Sequence, residues 1–326
     1  MWTKSKAIKL LLLSIGIFFI LSYLTVFIGQ NNISPFSLSE NNLFIIKNIR
    51  IPLYFSAILI GVVFSTAGLM MQLIFKNNLA TPYTLGISSG AVFFILLGSK
   101  FGIDFRILGI SSSLISSIAG TLLILFILLK FLPKRANIFN TTLLIGIALN
   151  IFFSSAMMLI QYYSSSSELY QMTHWLVGSI EIINIINLIP TLIFWLIFTF
   201  FIIKYAPEID LMSINTQLAS DRGIDIKKIG KIIIILQAFT LGALIPFTGP
   251  IAFVGLIVPN IIRIFIHSGV KTLFFYTVIT GANFMLLAHF LSMRIKNNEI
   301  IPVGIITAII GAVFLIVSLI SQFKEQ

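Results

Sequence analysis

The 326-residue chain has no cysteine, three histidines and only ten acidic residues. Without thiols it forms no disulfide, no thiolate metal site and no cysteine nucleophile. Charged residues make up 10% of the chain, against about 25% in a soluble domain, which excludes an ordinary soluble fold. The acids Glu40, Asp104, Glu168, Glu181, Glu208, Asp210, Asp221, Asp225, Glu299 and Glu325 all lie outside the cores of the long apolar runs. Ion-coupled transport usually needs ionisable groups or broken helices inside the membrane, and an intramembrane aspartyl protease needs two aspartates there, so both readings are weakened. His174, His267 and His289 are too widely spaced to suggest a metal site, and His289 reads as a packed or interfacial residue. No stretch matches G-x-x-x-x-G-K-[ST], because Gly230-Lys231 is followed by Ile232; the chain carries no visible means of using ATP.

What the chain has instead is apolar length. Hydrophobic residues form 58% of it and the mean hydropathy is +1.07, as in a polytopic membrane protein. At about 20 apolar residues per span, it holds ten runs, near 10–28, 51–75, 85–99, 107–132, 141–163, 185–203, 229–247, 252–266, 273–293 and 301–322. The expectation is one all-α membrane domain over 1–326. The net charge of +11 does not imply nucleic acid, because the basic residues are scattered between the runs rather than gathered in a patch. Lys4, Lys6 and Lys9 precede the first run, which reads as a retained span with an inner N-terminus. Threading ten spans from there puts fifteen lysines and arginines inside and six outside, so both termini are expected in the cytoplasm. Five spans per half would set a second half upside down, as in the inverted repeats of transporters, although no repeat is visible in the residues. The third and eighth runs are short.

Charge concentrates in one place, residues 204–231, which hold Lys204, Glu208, Asp210, Asp221, Arg222, Asp225, Lys227, Lys228 and Lys231. Leu211, Ile214 and Leu218 fall at helical spacing and Gly223 supplies a stop. The spacing predicts short amphipathic helices outside the bilayer. A solvated connector is the plain alternative, but most connectors are only about 4–6 residues long. If transport is active, a partner that docks here must supply the energy.

Polar residues within the runs are few. Gly86-Ile87-Ser88-Ser89-Gly90 fits the G-x-S-x-G of serine hydrolases, but that motif needs a strand before it; close helix packing through Gly86 and Gly90 is the better reading. Thr142, Gly146, Asn150 and Ser154 recur every four residues and form one stripe down the fifth span. Their spacing fits a lined path for a polar solute and interhelical hydrogen bonding equally. Gln72, Gln237 and Asn283 are isolated and read as structural.

Three stretches carry a resemblance. Arg50-Ile51-Pro52, Gly61, Gly68, Gln72 and Asn77-Asn78-Leu79-Ala80-Thr81-Pro82-Tyr83-Thr84-Leu85-Gly86-Ile87-Ser88-Ser89-Gly90-Ala91 resemble the R-x-P-R … G … G … Q … N-P-L-A-x-P-x-x-L-G-x-S-x-G-A signature of FecCD-type permeases. These are the membrane subunits of ABC importers for iron-siderophores, haem and vitamin B12. Gly249-Pro250-Ile251-Ala252-Phe253-Val254-Gly255-Leu256-Ile257-Val258-Pro259-Asn260-Ile261-Ile262-Arg263 is similar to that family's G-P-I-x-F-V-G-L-I-V-P-H-x-x-R. Glu299 and Pro302-Val303-Gly304-Ile305-Ile306-Thr307-Ala308-Ile309-Ile310-Gly311 are similar to its ending, with one residue extra. Leu53, Asn78, Asn260, His289 and Val313 depart from the pattern, standing where the family has arginine, proline, histidine, often aspartate, and proline.

The resemblance implies a vitamin B12 permease-like fold of ten helices that works without a cofactor. It implies a dimer, of two copies or of this chain with a sister permease, resting on two ABC ATPase subunits and fed by an extracytoplasmic solute-binding protein. The ATPase-coupling segment would lie at about 205–230, with Leu211, Ile214, Leu218, Ala219 and Gly223 at its centre. Asn77, Leu79, Phe139 and Asn140 would form the inner gate, and the stripe from Thr142 through Gly146 and Asn150 to Ser154 would line the path. Arg50 and Arg294 would meet acidic residues of the binding protein. Ferric siderophore is the expected substrate, with haem or cobalamin next. A secondary transporter and then a membrane enzyme are the remaining alternatives.

Overall fold

The computed structural model describes the backbone of residues 4–28, 32–34, 39–103, 105–107, 110–131, 138–180, 185–295 and 301–324. Each of the ten apolar runs holds a helix: α1 (Lys4–Phe27), α3 (Ile51–Phe75), α4 (Ile87–Lys100), α5 (Ser112–Lys130), α6 (Ile138–Tyr162), α8 (Ile185–Lys204), α11 (Ile226–Thr248), α12 (Val254–Phe265), α13 (Val270–Arg294) and α14 (Val303–Lys324). Helix is the expected outcome for such runs, because hydrocarbon offers the backbone no other hydrogen-bond partner. Among the described residues, seven helices are long and apolar enough to cross a membrane, whereas α4, α12 and the described apolar part of α14 are shorter. Four further helices lie between the runs: α2 (Glu40–Ile45), which passes through a π-helical turn (Ile46–Arg50) into α3, then α7 (Ser166–Leu176), α9 (Ala206–Ile214) and α10 (Thr216–Asp221). A two-residue hairpin pairs Arg106–Ile107 with Ile110–Ser111. It delays α5 to Ser112, five residues beyond the start of its apolar run, because the Ser111 hydroxyl caps the helix by accepting from the Leu114 N–H.

α3 is the axis of the bundle. Of its most apolar stretch 83% is buried, against 11% for α1 and α6, whose outward faces are left for lipid or a partner chain. Gly61, Ser65, Gly68 and Gln72 lie on one face of α3 at i, i+4, i+7 and i+11. That face meets α13 and α12. A methyl group at Gly61 would strike the Gly281 carbonyl, and one at Gly68 would strike that of Gly255. With no such group in the way, Ser65 donates to Thr277 O at 3.2 Å and Gln72 Nε2 donates to Gly255 O at 3.2 Å. Small residues take this role in membranes because lipid removes the hydrophobic drive and leaves packing and hydrogen bonds to hold helices together. Gln237 Nε2 on α11 donates to Ala67 O of α3 at 3.0 Å, and Asn283 Nδ2 on α13 to Ser14 O of α1 at 2.9 Å. The three isolated amides thus serve packing.

The two halves exchange partners. α3 of the first packs on α12 and α13 of the second, and α11 of the second packs on α4 and α5 of the first. Each half also has a short third helix preceded by an irregular segment with left-handed residues. These are Lys76 and Gly86 in 76–86, and Gly249 and Phe253 in 249–253.

Replacing Gly68 by leucine should abolish the α3–α12 contact, and overpacking of this kind costs about 1–3 kcal/mol or more. The purified Gly68→Leu variant should melt well below wild type in detergent. Gly16→Ala, with nothing within 4 Å of the added group, should melt with wild type.

Candidate functional site

The irregular segments meet at a cavity of about 360 Å³. Tyr83 of 76–86, Leu176 and Val177 at the end of α7, Pro250 and Ala252 of 249–253, and Gly304, Ile305, Ala308 and Ile309 on α14 line it. Backbone contacts set this junction. Gly304 N donates to Gly178 O and Ser179 N to Thr248 O, each at 3.0 Å. Phe253 holds a left-handed φ of 68°, an unusual conformation for a bulky residue that costs about 1–3 kcal/mol; its ring lies against Gly311 of α14. Among the described residues the wall carries no charged side chain, and the Tyr83 hydroxyl is its one polar side-chain group. Among the described residues no three His, Cys, Asp or Glu side chains gather as metal ligands. Such a wall offers a solute an apolar face, with the Tyr83 hydroxyl as the single side-chain oxygen among the described residues.

Segment 76–86 is held by short-range bonds. Asn77 Oδ1 accepts from Leu79 N at 2.8 Å, and Thr84 Oγ1 donates to Thr81 O at 2.8 Å. Leu79 is exposed at its tip. Asn78 is tied to α12: Asn260 Nδ2 donates to its carbonyl at 3.2 Å, and Arg263 donates from one terminal nitrogen to its Oδ1 at 2.8 Å. Phe139 and Asn140 lie in the first turn of α6, but their side chains fall outside the described residues. In the stripe, Thr142 and Gly146 are buried, and Gly146 lies so close to the Leu85 backbone that a Cβ there would come within 2.7 Å of its Cα. Asn150 and Ser154 are half-buried, and Asn150 Oδ1 is buried without a hydrogen-bond partner. The open face of α6 is apolar, with Leu144, Ile151, Phe152, Met158 and Leu159 exposed. The first half of the stripe therefore packs α6 onto segment 76–86.

Ser88 is 2% exposed and its hydroxyl has no partner, so no base stands within hydrogen-bond reach and the hydrolase reading falls. Gly90 instead packs on Gly120 and Ile124. α7 begins with a capping box: Ser165 N donates to Glu168 Oε2 at 2.8 Å, and Glu168 N to Ser165 Oγ at 3.4 Å. Lys100 of α4 donates to the same carboxylate at 3.0 Å. The Ser165 backbone bond first, and then Lys100, hold the Glu168 carboxyl below the usual carboxylate range.

The segment expected to hold short helices outside the bilayer forms two. Asn215 is extended and caps α10, its Oδ1 accepting from Gln217 N at 2.8 Å and Leu218 N at 3.3 Å. The break separates Leu211 and Ile214 from Leu218, so the three do not share one helical face. Ile214 is 77% and Leu218 54% exposed, whereas Ala219 is fully buried and Leu211 packs on the core. Gly223 ends the pair with φ 78°, the left-handed stop that glycine permits. Asp210 Oδ1 accepts from Val270 N, the first residue of α13, at 2.7 Å. Burial raises the Asp210 carboxyl pKa, and that bond partly opposes the rise.

Arg50 differs from expectation. It is 8% exposed and donates to Val26 O at 2.8 Å, so it anchors α1 rather than offering a free surface cation. Arg294 is exposed and donates to Asn32 Oδ1 at 3.2 Å. Sequence reasoning missed Val177, Ala252 and the other lining residues, although Gly249-Pro250 and Pro302-Val303-Gly304 mark two of the segments that supply them.

Apolar helices broken at corresponding points, around a wall whose described residues carry no charge, are the architecture of a polytopic membrane protein and fit a permease. The chain belongs to the FecCD transport family, whose sequence pattern matches residues 12–321. In that family the chain is the transport subunit of an ABC importer, and ATP hydrolysis belongs to separate subunits. It is 31% identical over 282 residues to the uncharacterized ABC transporter permease protein YvrB of Bacillus subtilis, covering 86% of this chain and 80% of that one. It is 29% identical to the vitamin B12 import system permease protein BtuC of Photorhabdus laumondii, with 91% and 88% covered. It is also 29% identical to the molybdate import system permease protein MolB of Haemophilus influenzae, with 82% and 78% covered. A solved inward-facing structure assigned to the metal-chelate type of ABC transporter superposes with a TM-score of 0.86 at 26% identity, over 96% of this chain and 99% of that one.

Arg50→Ala removes a charge-assisted hydrogen bond worth about 1.5–3 kcal/mol. The variant should lose thermal stability and membrane abundance, whereas truncating exposed Arg294 should change neither; quantitative immunoblotting and a detergent melt read both.

Proposed function

We propose that the chain moves a metal chelate, in the first instance a ferric siderophore, into the cytoplasm through the cell membrane. The carrying observation is the wall, whose described residues carry no charge and no cluster of metal ligands. A bare oxyanion would be desolvated there without a counter-charge, at a cost of several kcal/mol, whereas a chelate brings its metal already coordinated and its charge spread over an organic shell. The likeness to a vitamin B12 permease supports cobalamin as the second reading. Family membership and the lack of membrane carboxylates leave little for a secondary transporter or a membrane enzyme.

The supporting topology is ten spans with both termini cytoplasmic, short α4 and α12 being completed by the irregular segments that precede them. The exchange of partners between halves fits an inverted repeat with its path at the interface. The working unit is a dimer of this chain, or of it and a sister permease, with two ATPase subunits below and an external binding protein above. Ile214 and Leu218 enter the ATPase surface, while Leu211, Ala219 and Gly223 hold α9 and α10 in place. Asn77 and Leu79, with Phe139 and Asn140 opposite, close the inner end, and Asn150 and Ser154 above Thr142 and Gly146 border the path. Arg294 meets the binding protein, with Arg50 setting the helix beside it.

Cells lacking this gene should lose uptake of one radiolabelled ferric siderophore among catecholate, hydroxamate and carboxylate types, and vanadate should block that uptake in wild type. Loss of cobalamin or haem uptake alone would move the assignment to the second reading. Ile214→Asp with Leu218→Asp should abolish co-purification of the ATPase and reduce uptake at least about tenfold, while the two exposed positions leave thermal stability unchanged. Retained co-purification would remove them from the coupling surface.

A further inference from the structure

The proposed function leaves open how the coupling helices reach the loop that closes the inner end. Two contacts suggest a route. Asp210, on the last turns of α9, caps α13 through Val270 N. From there only residues 266–269 separate α13 from α12, and the end of α12 presents Asn260 and Arg263 to Asn78. The α12–α13 hairpin is thus gripped at its turn by the coupling helices and along its α12 arm by the loop. Asn78 is fastened through both carbonyls, main-chain and side-chain, so the loop cannot shift against α12 without breaking both bonds. Arg263 also keeps its second terminal nitrogen buried and without a partner, a donor that a carboxylate at position 78 would satisfy.

We infer that Asp210 and the Asn78–Asn260–Arg263 cluster are positioning residues that make the α12–α13 hairpin a rigid rod between coupling segment and inner loop. The inference rests on the proposed roles of those two regions, but its geometry is internal to the chain. A pull on α9 moves Val270, the hairpin follows, and Asn78 carries the loop with it. Coupling requires an element that both ends bias, and the hairpin is that element.

The absence of cysteine makes the test direct. Ala80 lies in the loop, fully buried, and its N–H donates to Asn77 O at 3.0 Å. In inside-out membrane vesicles carrying full-length Ala80→Cys, maleimide labels the single thiol only when the loop opens, so the rate reports the opening equilibrium. Asn78→Ala should speed labelling about tenfold, the order expected for loss of a bond to a charged donor. Asn78→Asp should slow it below wild type, because the carboxylate engages both terminal nitrogens of Arg263. Asp210→Ala should speed it as well, Asp210→Asn should restore much of the wild-type rate, and the Asn78→Ala, Asp210→Ala pair should be less than additive, as for groups acting in series. Hydrogen exchange at the amides of residues 80, 85 and 86 in the cysteine-free chain gives the same comparison should Ala80→Cys fail to fold.

Wild-type labelling and exchange in Asn78→Ala would overturn the latch. Wild-type values in Asp210→Ala, or full additivity in the pair, would overturn the rod. Neither readout needs substrate or nucleotide, so a positive result alongside failed uptake of every ferric chelate would leave the rod standing and reject the cargo assignment.

Discussion

The architecture depends on backbone meeting backbone along one face of α3. Gly61 and Gly68 bring that helix against the carbonyls of Gly281 and Gly255, closer than any side chain would allow. At that range Ser65 and Gln72 reach main-chain acceptors of the opposite half. In lipid, where burying an apolar side chain yields no hydrophobic gain, this is the available route to a strong contact. The same contact makes one body of the two halves, since α12 and α13 close on α3 while α11 closes on α4 and α5. The breaks before α4 and α12 follow from it, because a long straight α12 could not place Gly255 against Gly68 and still turn at Gly249 towards α7 and α14.

The site is made of those breaks. Its wall is drawn from four places far apart in the chain, near residues 83, 177, 250 and 304, the last three joined by main-chain bonds. Left-handed Gly249 and Phe253 re-aim the chain at the cavity, and α7, fastened at its far end by Lys100 and Glu168, brings Leu176 and Val177 to it. Strain and irregularity are therefore concentrated where the helices stop, and the helices around them are regular.

Much of the fold was legible because ten long apolar runs admit little but helix. The errors have local causes. Helical spacing from Leu211 to Leu218 masked the break at Asn215, a residue whose side chain favours capping over continuation. The serines at 111–113 postponed α5 in the same way. α7 went unread although Ser165 and Glu168 carry a capping-box spacing, since it lies in a polar stretch between runs. Arg50 could not be judged from its neighbours, because its partner carbonyl belongs to Val26 on another helix. Gly249-Pro250 and Pro302-Gly304 were visible as motifs, but what they surround has no signature of residue type: apart from Tyr83 and Pro250 its lining is leucine, valine, alanine, isoleucine and glycine, which any buried helix would also show.

That lining bears on how such proteins diversify. A wall whose described residues carry no charge discriminates weakly among charge-shielded cargoes of suitable size, so exchanging one such cargo for another does not require rebuilding it. The burden of choice then falls on whatever hands the cargo over, and the channel can persist through changes of trade. Chains about equally similar to this one are named for vitamin B12 and for molybdate; a change within the charge-shielded class leaves such a wall as it is, whereas a bare oxyanion calls for a counter-charge in the wall itself.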